Sequence, residues 1–125
     1  MAERKIDTKI WLKNPRDSNY PAAADYLDLL LPRNRVQKIV SELKKEKTVL
    51  KKAKDILRAS QLPLLPAENI HVKENIAKVR SGKKLSPVLL VRSERLIVAD
   101  GYHRVCSIYY LSEDFDIPCR ITDLK

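Results

Sequence analysis

The sequence predicts a small α+β fold (mixed α/β), a short sheet with helices packed on it, preceded by a helical N-terminal extension. Three observations carry that expectation. Apolar residues in the first half recur at helical spacing. Two aliphatic runs, Pro87–Arg92 and Arg95–Ala99, flank Ser93-Glu94 and read as a hairpin. A strand, a tight Asp100-Gly101 break and a helix then follow one another from Val98 to Leu111.

In chain order, Tyr20–Leu31 starts with Pro21 where a helix tolerates it, after Ser18 and Asn19 as candidate caps. Pro32 forces a new start. Val36, Ile39, Val40, Leu43, Leu50, Ile56 and Leu57 then predict one long helix, or two joined near Lys47, ending at Ser60–Pro63. Val72–Ser81 reads as a helix stopped by Gly82, with Lys78 and Arg80 at its negative end. Both hairpin runs are apolar on consecutive residues, so both faces of that pair should be covered. Ile117–Thr122 is a closing strand, and Pro118 suggests that it lies at an edge. We therefore divide the chain into a basic helical extension, 1–61, and an α/β part, 62–125, together expected to form one compact unit.

Charge sharpens the division. The 125 residues carry 25 Lys+Arg against 16 Asp+Glu, a net charge of +9. Arg33–Arg58 alone holds ten basic and three acidic residues, hence +7 of that total. Its lysines Lys44, Lys45, Lys47, Lys51 and Lys52 are the candidate contacts to DNA or RNA. Lys outnumbers Arg, and no aromatic residue is interleaved, which favours sequence-independent attraction over base stacking. The same stretch has Val36, Leu43, Leu50 and Leu57 at seven-residue spacing, leaving a homodimer open.

Apolar runs reach only four residues, at Val88–Val91, Leu96–Ala99 and Ile108–Leu111, so no membrane span is expected. Charges at Glu3, Arg4 and Lys5 argue against a secretion signal. Cys106 and Cys119 are too few for a disulfide framework and read as free thiols, which fits a cytoplasmic location. The spacing of His71, His103, Cys106 and Cys119 supports no zinc site. Only two glycines exist, Gly82 and Gly101, so a glycine-rich phosphate loop is excluded.

One constellation carries chemistry. Asp100-Gly101-Tyr102-His103-Arg104 puts a strand end, a glycine and a basic first helical turn in succession. A helix start presents unpaired N–H groups and a positive dipole end to an anion. Gly101 permits close approach, while His103 and Arg104 add donors, Arg104 with a fork matched to phosphate. Asp100 serves either as a cap or as a ligand beside the anion. The bland reading is an Asp-Gly turn followed by an ordinary helix start.

From Leu62 to Ile121 the order of these features, with Asp-Gly-x-His-Arg at 100–104 and Ile117-Pro118 in the closing strand, resembles the ParB/sulfiredoxin superfamily. That resemblance implies a bacterial-type domain with a short mixed sheet that binds a nucleotide through its phosphates, at Gly101, Tyr102, His103, Arg104 and the first-turn amides. It implies CTP, ATP or ADP with Mg²⁺, and an NTPase or a small-molecule kinase as the possible activity. Sulfiredoxin chemistry is not expected, because Tyr102 stands where the reactive cysteine would be. A complete partition protein is not expected either, since the sequence stops at Lys125 without the following DNA-binding and dimerisation domains. A free-serine kinase of this group shares the Asp-Gly-x-His-Arg motif; its catalytic glutamate would fall near Glu68 or Glu74. Glu68, with Asp100, is the catalytic candidate, whereas Glu74 suits a first helical turn for structural reasons. The alternative from another class is a non-enzymatic accessory that binds nucleic acid or a protein partner through the basic helices.

Overall fold

Residues 4–124 are described in a computed structural model. Pro32 ends the first helical segment as the sequence requires: α1 spans Asn19–Leu27, and Pro32 is the residue preceding α2, Arg33–Lys45. Ser18 occupies the cap position of α1 but makes no side-chain cap bond; Asn19 instead accepts from the Arg16 N–H at 2.7 Å. In α2, Val36, Ile39 and Leu43 point inward at helical spacing, and Arg, Lys and Gln take the outer face.

The helix does not continue past Lys47. Glu46 is already extended (ψ 149°), and Val49–Lys52 form strand β1 before α3 resumes at Ala53–Ser60. The reason lies far away in sequence: Leu50 pairs with Pro118 in a strand whose existence the local pattern of lysines and leucines does not signal. β-Branched Thr48 and Val49 suit that choice. Gln61, in the left-handed region at φ 57°, ends α3.

Helix α4 spans Ile70–Arg80 and is capped by Asn69, whose Oδ1 accepts from His71 N (3.0 Å) and Val72 N (3.2 Å). Gly82, at φ +82°, closes its other end, with Lys83 N donating to Lys78 O at 2.8 Å. Strands β2 (Val88–Arg92) and β3 (Ile97–Asp100) form the expected antiparallel hairpin, irregular between Leu89 and Leu90. Helix α5 (Tyr102–Leu111) and strand β4 (Asp116–Asp123) complete the chain.

The four strands make one mixed sheet in the order β1-β4-β2-β3. β4 is therefore central, antiparallel to β1 and parallel to β2, not the edge strand that Pro118 suggested. Pro118 is tolerated because pairing with β2 begins only at Cys119, one residue later.

Both faces of the β2–β3 pair are covered. On one face Val88, Leu90 and Val98 pack with Ile56, Val72, Val105, Ile108 and Trp11. On the other, Leu89, Val91 and Ala99 pack with Leu27, Val36, Ile39 and Leu43. Residues from 1–61 thus supply part of each core, and no packing break falls at residue 61. Among the described residues no helix is long and apolar enough to cross a membrane.

Candidate functional site

Strand β3 delivers Asp100 to the edge of a cleft, and Gly101 turns the chain into α5 at φ +112°. A Cβ on Gly101 would lie 2.4 Å from Val88 Cγ1 and 2.9 Å from Arg104 Nη2. The room left by the missing side chain is therefore filled by the protein itself, which gives Gly101 a packing role as well as a conformational one.

Asp100 does not cap α5. Its Oδ2 accepts from Arg104 Nη2 at 2.8 Å, and the same nitrogen reaches the Pro87 carbonyl at 3.3 Å. Both side chains are only 16% exposed, and the Arg104 Nε is buried without a partner. This pair stitches the end of β3 to the first turn of α5 and to the start of β2. Gly101 is the cap residue and has no side chain to offer. Consequently no hydrogen bond among the described residues engages the Tyr102, His103 or Arg104 amides.

Helix α4 forms the opposite wall. His71, Glu74, Asn75 and Lys78, at i, i+3, i+4 and i+7, face Asp100–Arg104 across a cleft of ≈ 280 Å³. The helix is fixed there by the fully buried Val72, whose carbonyl accepts from the Ser107 hydroxyl of α5 at 3.1 Å. The His71 and His103 rings meet edge to face, with centroids 4.9 Å apart, and Tyr102 lies 5.9 Å from His103. The Tyr102 hydroxyl donates to the Pro63 carbonyl, tying the loop before α4 to the first turn of α5.

Electrostatics follow from this crowding. Burial, then His71 and the Arg104 guanidinium, holds His103 below its ordinary value near 6.5, so its imidazole is neutral at pH 7. Burial likewise raises the Tyr102 phenol. Cys106 faces the core one turn further along α5, and burial raises its thiol; Cys119 is pushed up to about 12 for the same reason. Both thiols stay protonated and unreactive at neutral pH.

Asp100, Gly101, Tyr102, His103 and Arg104 are thus gathered in one cleft. Glu68 is not. It precedes the Asn69 cap and lines a separate groove of ≈ 680 Å³ with Lys73, Ile76 and Arg80, on the far side of α4. Glu74 is the carboxylate that faces the motif. From the sequence alone Asn75 carries no signal of its own, Lys78 reads only as a cation at the negative end of its helix, and His71 has no functional role. The i, i+3, i+4, i+7 spacing of polar residues was the available signal, but it needed α5 as a neighbour to acquire meaning.

The five candidate lysines do not share one helix. Lys44 and Lys45 end α2, and Lys47 follows in the connection. Lys51 and Lys52 lie on β1, where Lys52 Nζ stands 3.9 Å from Asp114.

Comparison of the chain with protein-family models, curated proteins and solved structures returned no match.

Proposed function

We propose that the α4–α5 cleft binds the phosphates of a nucleoside di- or triphosphate, with CTP, ATP and ADP as candidates. The observation that carries the reading is the uncapped start of α5. Three free amides form the positive end of a ten-residue helix beside His103, His71 and Lys78. The Asp-Gly-x-His-Arg resemblance to ParB/sulfiredoxin domains supports the same use of these residues. Gly101 sets the turn, the Tyr102–Arg104 amides and His103 receive the phosphate oxygens, and Lys78 contributes charge from the facing wall. Arg104 acts mainly by locking Asp100 and adding positive field behind the amides, since its Nη2 is already shared between two acceptors.

Among the described residues no group of three or more His, Cys, Asp or Glu side chains is placed to hold a metal. Mg²⁺ therefore enters this reading as the ion that a nucleotide brings with it, next to Glu74 and Asp100. For hydrolysis or transfer, Glu74 takes the place first assigned to Glu68, as the carboxylate positioned to accept a proton from water or a hydroxyl.

Isothermal calorimetry with CTP, ATP and ADP, each with and without Mg²⁺, tests the proposal. Saturable heat for at least one nucleotide is expected, and it should weaken about tenfold or more in H103A. No heat for any of them, with an unchanged melting temperature, would remove the reading.

A further inference from the structure

A second basic feature lies away from the cleft, where three distant segments meet. Arg120 leaves the sheet from β4 and donates to the Lys44 carbonyl (2.9 Å), the Leu43 carbonyl (3.5 Å) and Asn14 Oδ1 (2.9 Å). It also reaches Thr48 Oγ1 and the Tyr20 hydroxyl, each at 3.4 Å. The Thr48 hydroxyl in turn donates to the Lys13 carbonyl at 3.4 Å. Every acceptor of Arg120 is neutral. The residues bearing Lys13, Lys44, Lys45 and Lys47 surround this junction, and all four are exposed.

Among the described residues, none of these five cations takes part in a salt bridge. Lys44 instead lies 5.4 Å from the Tyr20 ring centroid. Two of the carbonyls at the end of α2 that would attract lysines, Leu43 O and Lys44 O, are already occupied by Arg120. The acidic residues of the same stretch are segregated. Glu42 and Glu46 line a different cleft with Asp123, and Asp55 pairs with Arg58.

We infer that this junction is a docking surface for the phosphodiester backbone of a nucleic acid. Spaced ammonium groups beside the exposed Asn14 and the half-buried Thr48, both neutral, suit a run of phosphates. Anchoring in a lipid surface would need an apolar side chain beside the cations. Val49, the nearest exposed apolar residue in sequence, pairs with Cys119 and so projects from the sheet face opposite Arg120. No aromatic ring at the junction is exposed for stacking, so binding is independent of sequence. Lys51, opposite Ile117, and Lys52, beside Asp114, lie outside the surface.

Fluorescence anisotropy with a short duplex DNA and a single-stranded RNA, at 50 and 200 mM salt, tests this on the intact chain. Neutralising three phosphates predicts roughly 40-fold weaker duplex binding over that range. The variant K44Q/K45Q/K47Q should lose at least tenfold in affinity at 50 mM salt and most of the salt dependence. The control K73Q/K83Q/K84Q removes the same charge elsewhere and should keep both. Three results would overturn the inference: no binding to either polymer at 50 mM salt, equal losses in the two variants, or binding to phosphatidylserine vesicles without binding to nucleic acid.

Discussion

At Gly101 two constraints coincide, a left-handed backbone and a neighbour 2.4 Å from any added Cβ. Gly101→Ala should therefore cost on the order of 3 kcal/mol, from backbone strain and overpacking against Val88. A melting curve unchanged within a degree would refute the packing. His103 makes a different prediction. Its folded value is depressed, so above the ordinary value near 6.5 both folded and unfolded chains hold it neutral. As pH falls below that value the unfolded chain takes up the proton first, and stability declines until the folded value is passed. H103Q should remove this component of the acid-side loss in denaturant titrations from pH 7 to 5. An identical pH profile in the variant would show that His103 is not held neutral. The motif residues themselves were legible in the sequence because they are contiguous. The facing residues His71, Glu74, Asn75 and Lys78 were not, because only the packing of α4 against α5 makes them a wall.

Single elements were read best where their signals are local. The proline that separates α1 from α2, the Gly82 stop of α4 and the hairpin around Ser93-Glu94 all depend on backbone chemistry within a few residues. β1 failed that test. Its four residues sit in a lysine-rich stretch with leucines at helical spacing, and only pairing with β4 makes them a strand. The edge assignment of β4 failed for a related reason, since a proline at the end of a parallel ladder leaves no trace of its harmlessness in the sequence. Arg120 holds the end of α2 to β4 and the N-terminal segment. Arg120→Ala should destabilise by about 2 kcal/mol, typical of several weak bonds to one charged group at a partly exposed site. Asn69→Ala, which removes the cap of α4, should cost about 1 kcal/mol. Chemical denaturation measures both, and a neutral Arg120→Ala would mean that the guanidinium only decorates the junction.

For the whole molecule, the division drawn at residue 61 from charge does not divide the packing, because both cores draw residues from each side of it. The +7 of Arg33–Arg58 belongs to α2 and α3, which cover opposite sheet faces, and to β1, which extends the sheet edge. Removing residues 1–61 would expose Leu89, Val91 and Ala99 and delete the partner of β4 on one side. That truncated chain should lack a cooperative thermal transition, as followed by circular dichroism; a sharp two-state melt would show that the second half folds alone. The same architecture fixes the candidate site, because β2, β3 and α4 together hold the start of α5 in place.

Phosphate binding in the α4–α5 cleft depends on the free amides at the start of α5, and ¹H–¹⁵N NMR during titration with ATP, CTP and ADP addresses them directly. Saturable shifts are expected at the Tyr102, His103 and Arg104 amides and along the α4 wall from His71 to Lys78. Saturable shifts confined to other surfaces, or none with any of the three nucleotides, would contradict it.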